Sequence, residues 1–136
     1  MKNLALALAT TLLLAACSSG STVAPLPISL NGLYTGSFEN TDGTQDGTAT
    51  FNLIQQGSSS EITGNAVYDT NTINTCLLNA TVEGTNSGAS ATLTIGETNF
   101  QLAISNDGNT LAGTYVTGEL DGCSNGSGAG TITLNR

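Results

Sequence analysis

The stretch that decides the fold is Phe100-Gln101-Leu102-Ala103-Ile104-Ser105-Asn106-Asp107-Gly108-Asn109-Thr110-Leu111-Ala112-Gly113-Thr114-Tyr115. Phe100, Leu102 and Ile104 alternate with Gln101, Ala103 and Ser105. After Asn106-Asp107-Gly108-Asn109 the alternation resumes with Leu111, Gly113 and Tyr115 on one face. A period of two marks a strand with one buried face. Asn, Asp and Gly supply the backbone a tight turn needs. Two strands joined by so short a turn pair antiparallel.

Outward from this hairpin the same pattern repeats. Strand-like runs cover residues 31–39, 47–55, 61–69, 76–83, 89–96, 98–105, 110–117 and 127–135. Thr41-Asp42-Gly43, Gln56-Gly57-Ser58 and Gly84-Thr85-Asn86 read as turns between them. No stretch beyond Cys17 has helical periodicity. The expected fold class is all-β: an eight-stranded antiparallel up-and-down barrel over residues 30–136, whose closure removes exposed edges. A two-sheet β-sandwich is the alternative. The inward positions include Tyr34, Phe38, Phe51, Tyr68, Phe100 and Tyr115, enough large groups to fill a narrow barrel.

Leu30-Asn31-Gly32-Leu33-Tyr34 repeats as Leu111-Ala112-Gly113-Thr114-Tyr115 and, in part, as Ile62-Thr63-Gly64-Asn65-Ala66. Glycine within a strand serves a bend or a close approach of backbones. Its functional reading is that it opens room for a ligand, and Tyr34, Tyr68 and Tyr115 are the candidate ligand-lining residues. This motif and the run count resemble the avidin-like and lipocalin-like small barrels and the short Gly/Thr-rich bacterial lipoproteins of unknown function. Avidins stack biotin on tryptophan, and the chain has no Trp, so no ligand residue is carried over.

Composition excludes several functions. Ten Asp and Glu face two Lys and Arg, a formal charge of −8. Such a surface repels nucleic acid and anionic headgroups. With no His, and with Lys2 lying in the N-terminal leader, the groups for acid–base, metal or redox chemistry are scarce. Neither an enzyme nor a bound cofactor is expected.

The N-terminus carries an address. Lys2 precedes an apolar run over residues 4–16, shorter than the about 20 residues that span a bilayer as a helix. The run ends in Leu14-Ala15-Ala16-Cys17, which resembles the lipobox of bacterial lipoproteins. The resemblance implies a signal peptide over residues 1–16, cleavage after Ala16 and acylation of Cys17, with residues 17–29 as a tether. Acyl chains on Cys17 would then bind the lipid membrane. Ser18 in place of Asp implies the outer membrane rather than inner-membrane retention.

Cys76 and Cys123 remain, and an oxidising compartment makes a disulfide the expected state. In an up-and-down barrel alternate connectors share an end. Cys76 closes the third connector and Cys123 lies in the seventh, so a bridge would join two connectors at one end. Asp42 and Asp46 belong to that end, and Asp42-Gly43-Thr44-Gln45-Asp46-Gly47 faintly resembles a calcium loop without its alternating ligands. Because the tether joins the opposite end, the acidic connectors should face away from the membrane. The expected protein is an envelope lipoprotein of unknown specific function, a structural or interaction module presenting loops. Small-ligand binding in a calycin-like barrel, or cation binding at the acidic end through Asp42 and Asp46, are the alternatives.

Overall fold

The structure is a computed structural model that describes residues 28–43, 46–70, 78–117 and 128–136. Cys17, Cys76 and Cys123 therefore lie outside the described residues, as do the expected signal peptide and nearly all of the expected tether. Eight strands follow in order: β1 Gly32–Asn40, β2 Asp46–Gln55, β3 Glu61–Thr70, β4 Leu78–Asn86, β5 Ser90–Ile95, β6 Thr98–Ile104, β7 Thr110–Thr117 and β8 Gly128–Asn135. Each pairs antiparallel with the next, and β1 pairs with β8 to close the barrel. The sandwich alternative would leave β1 and β8 in separate or open sheets. Instead Gly36 faces Ala49 of β2 on one side and Leu134 of β8 on the other.

Most strand ends lie within a residue of the sequence reading, but β4 runs on to Asn86. Gly84-Thr85-Asn86 is the end of β4, not a turn, and pairs with Ala91, Thr92 and Leu93. A Cβ at Gly84 would stand 2.2 Å from the Thr92 carbonyl oxygen. The glycine is there for strand approach, and its turn-like composition concealed that role.

The alternation of the strands sorts side chains by chemistry. Phe51, Leu53, Ile62, Leu93, Ile95, Leu102, Ile132 and Leu134 are among the inward, buried set. Every described Asp and Glu is exposed. Thr, Asn, Ser and Gln dominate the outward positions, with Leu33, Ile54 and Val116 as exposed apolar exceptions. A bilayer-spanning barrel has the reverse arrangement.

The repeated glycine motif has a structural cause in two of its three copies. A Cβ at Gly113 would lie 1.9 Å from the Gln101 carbonyl oxygen, and one at Gly64 would lie 2.0 Å from that of Asn52. These glycines let neighbouring backbones crowd together where the sheet coils; they do not open ligand space. The third copy, Gly32, has φ +130° and lies under the Arg136 side chain.

The end of the barrel that receives the chain at residue 28 is closed by side chains. Leu30 is fully buried, and its N–H donates to Gln55 Oε1 at 2.9 Å. Asn86 Nδ2 donates to the same oxygen at 3.0 Å and to the Ile28 carbonyl at 2.6 Å. Gln55 Nε2 donates to the Ser59 carbonyl at 2.6 Å. The amides of Gln55 and Asn86 thus satisfy the backbone that crosses this end, as burial of polar groups requires. Tyr34 donates its hydroxyl to the Gly108 carbonyl at 2.8 Å. Arg136 completes the closure, donating to the Asn31 carbonyl at 2.8 Å with its guanidinium 5.7 Å from the Tyr34 ring centre.

Candidate functional site at the aromatic end

The opposite end holds a different set of side chains. Phe38, Tyr68, Phe100 and Tyr115 come from β1, β3, β6 and β7 and form a closed circuit across the barrel. Successive ring centres are 6.0 Å (Phe38–Tyr68), 6.4 Å (Tyr68–Phe100), 5.8 Å (Phe100–Tyr115) and 6.1 Å (Tyr115–Phe38) apart. All are direct contact distances for aromatic pairs. Phe51 lies one step nearer the base and meets Tyr68 and Phe100 edge-on at 5.7 and 5.5 Å. Tyr68 and Phe100 themselves are parallel within 6°.

The register makes space for these rings. Phe38 stands opposite Gly47, Tyr68 opposite Ala49, Phe51 opposite Ala66 and Tyr115 opposite Gly130. Large rings therefore alternate with small neighbours around the wall, so the circuit fits inside a barrel of eight strands. Exposure grades along the axis, from 0% at Phe51 and 2% at Phe100 to 8% at Tyr68 and 9% at Phe38. That gradient identifies Phe38 and Tyr68 as the rim.

The hydroxyls of the two tyrosines have opposite fates. Tyr115 reaches over Gly130 to β1 and donates to Asn40 Oδ1, which is buried. A Cβ at Gly130 would stand 2.5 Å from the Tyr115 oxygen, so the reach depends on that glycine. Burial, with Asp42 and Glu39 adding repulsion, pushes the Tyr115 phenol up to about 12. The Tyr68 hydroxyl is buried and has no hydrogen-bond partner among the described residues. Burial also drives its ionisation well above the ordinary phenol range, so it remains a neutral donor.

The three tyrosines named from the sequence do not form one cluster. Tyr68 and Tyr115 share the circuit with Phe38 and Phe100. Tyr34 lies beyond Phe51 at the closed end, facing Gly108 and Arg136. Asn40, which pairs with Tyr115, had no sequence signal because it sits at a strand end among turn-forming residues. Asp42 occupies the turn after β1, and Asp46 opens β2 opposite Glu39; both are exposed. Among the described residues no group of three or more His, Cys, Asp or Glu is placed to hold a metal.

No protein-family model and no curated protein matches this sequence. Among solved structures the barrel is similar to that described as EF1p2_mFAP2b bound to DFHBI. The two share 14% identity with a TM-score of 0.61, over 79% of this chain and 93% of that one. At that identity the likeness establishes the fold: a closed antiparallel β-barrel.

Proposed function

We propose that this protein is a lipid-anchored envelope barrel that binds a small molecule at the end facing away from its anchor. The observation that carries the binding role is the buried Tyr68 hydroxyl, unpartnered among the described residues, in the aromatic circuit at the end opposite the base. A barrel of the same fold is described with a small molecule bound, which supports the reading. The anchor rests on Leu14-Ala15-Ala16-Cys17. Residues 28–31 join the barrel at its closed base, so a tether from Cys17 turns the aromatic end outward. The connectors holding Cys76 and Cys123 leave from that outward end, where a disulfide between them would brace its rim.

Native mass spectrometry of the protein isolated from its envelope tests the binding role. A stoichiometric small-molecule adduct is expected. A spectrum of protein alone would favour a second reading, an interaction module that displays its connectors on a filled scaffold. The contact distances of the aromatic circuit favour that second reading. Labelled palmitate should enter the wild-type chain and not Cys17→Ser; equal labelling of both would remove the anchor.

A further inference from the structure

We infer that the molecule taken at the aromatic end is uncharged where it is buried, and that it presents a hydrogen-bond acceptor to the Tyr68 hydroxyl. This inference rests on the small-molecule reading above and names its chemistry.

The first ground is the hydroxyl itself. Among the buried side-chain nitrogen and oxygen atoms described, only the Tyr68 oxygen has no partner. Tyr68 is 8% exposed, so the group is held out of bulk water. A buried donor left unpaired opposes folding, and such an exception calls for an explanation. The neighbouring donor is already committed, because the Tyr115 hydroxyl is given to Asn40. Of these two hydroxyls, only that of Tyr68 has a proton to offer a ligand.

The second ground is charge. No described Lys or Arg stands at this end, since Arg136 is fixed at the base against Asn31 and Asn109. Glu39, Asp42, Asp46, Asp69 and Glu97 belong to this end and are exposed. A buried anion would find no counter-charge and would meet this acidic rim. A cation can be attracted to the rim carboxylates, but they point to solvent and would hold it outside the aromatic layer.

The third ground is the surroundings of the hydroxyl. Phe38 and Phe100 pack directly on the Tyr68 ring and Tyr115 completes the circuit, all of them buried. Apolar flanks of this kind penalise a charge and accept a neutral molecule.

Four probes of similar size separate these grounds: acetophenone, ethylbenzene, benzoate and benzylammonium. Their binding to the full chain is measured by equilibrium dialysis against protein-free detergent. Acetophenone should bind about tenfold more tightly than ethylbenzene, the effect of one net hydrogen bond. Both charged probes should bind more weakly still. Tyr68→Phe should erase the preference for acetophenone and leave ethylbenzene unchanged, whereas Tyr34→Phe at the base should leave the preference intact. Equal binding of acetophenone and ethylbenzene, a preference for either ion, or a preference that survives Tyr68→Phe would overturn the inference. Those outcomes leave the small-molecule reading standing. Absence of binding by all four probes, together with no adduct in native mass spectrometry, would remove both.

Discussion

At the base of the barrel Leu30 is buried, and Gln55, Asn86, Tyr34 and Arg136 each find partners across strands distant in sequence. At the aromatic end Tyr115 reaches Asn40, but the Tyr68 hydroxyl reaches nothing among the described residues. Both ends consist of the same materials, aromatic rings and neutral amides inside a polar wall. The base is finished as a structural closure. The aromatic end keeps one buried polar group unpaired among the described residues. The contrast matters because both ends carry tyrosine, and the residue type alone does not separate them.

The largest expected effect comes from unsealing the base. Leu30→Ala should lower unfolding free energy by about 3 kcal/mol, from lost burial and the cavity left behind. Denaturant unfolding checks this, and a loss below about 1 kcal/mol would mean that the base is not a packed closure. The sharpest comparison is between two Tyr→Phe changes. Tyr34→Phe should destabilise by about 1–2 kcal/mol, because it strips the buried Gly108 carbonyl of its donor. Tyr68→Phe should instead be neutral or stabilise by up to about 1 kcal/mol, since no partner is lost. Equal destabilisation by both changes would show that Tyr68 has a structural partner and that the two ends are equivalent.

Alkaline titration extends the comparison. Tyr34, Tyr68 and Tyr115 are the only tyrosines, and burial raises the ionisation of each. A phenol whose folded pKa lies above its unfolded value adds stability that is complete below pH 10 and is lost as pH rises. For Tyr115 the loss runs from 10 to about 12. Tyrosinate absorbance should therefore stay flat through pH 10 and then rise together with unfolding. A separate tyrosine titrating at the ordinary value in the folded state would contradict the burial of these rings.

The smallest effect is at the base. Ser105 and Asn109 donate to Asp107 and hold its carboxyl down to about 2. A lowered carboxyl adds stability that is complete above its unfolded pKa and fades as pH falls through its folded one. Wild type should therefore lose a slight stability between about pH 4 and 2 that Asp107→Asn does not, as measured by melting temperature.

Much of this was legible in advance. Period-two alternation in each run named the inward residues, because a strand side chain has only two faces to choose from. Turn chemistry at Asn106-Asp107-Gly108-Asn109 located the base connector. Gly84-Thr85-Asn86 was misread because glycine serves both turns and crowded strands, and only the position of Thr92 distinguishes them. Tyr34 was grouped with Tyr68 and Tyr115 because the three share a face. Their level along the axis depends on strand direction and register, which set Tyr34 opposite Phe51 and Tyr68 opposite Ala49.

By itself, then, the sequence determined that this chain makes eight short strands with one apolar face and an acidic exterior, because alternation and turn propensity act within a few residues. Only the tertiary structure decided that β1 meets β8, that Leu30 seals the base, and that Tyr115 finds Asn40 while Tyr68 finds no partner. Asn40 and Tyr115 are 75 residues apart. Closure of the barrel brings them together, and the register around the wall decides which of the two hydroxyls finds a partner among the described residues.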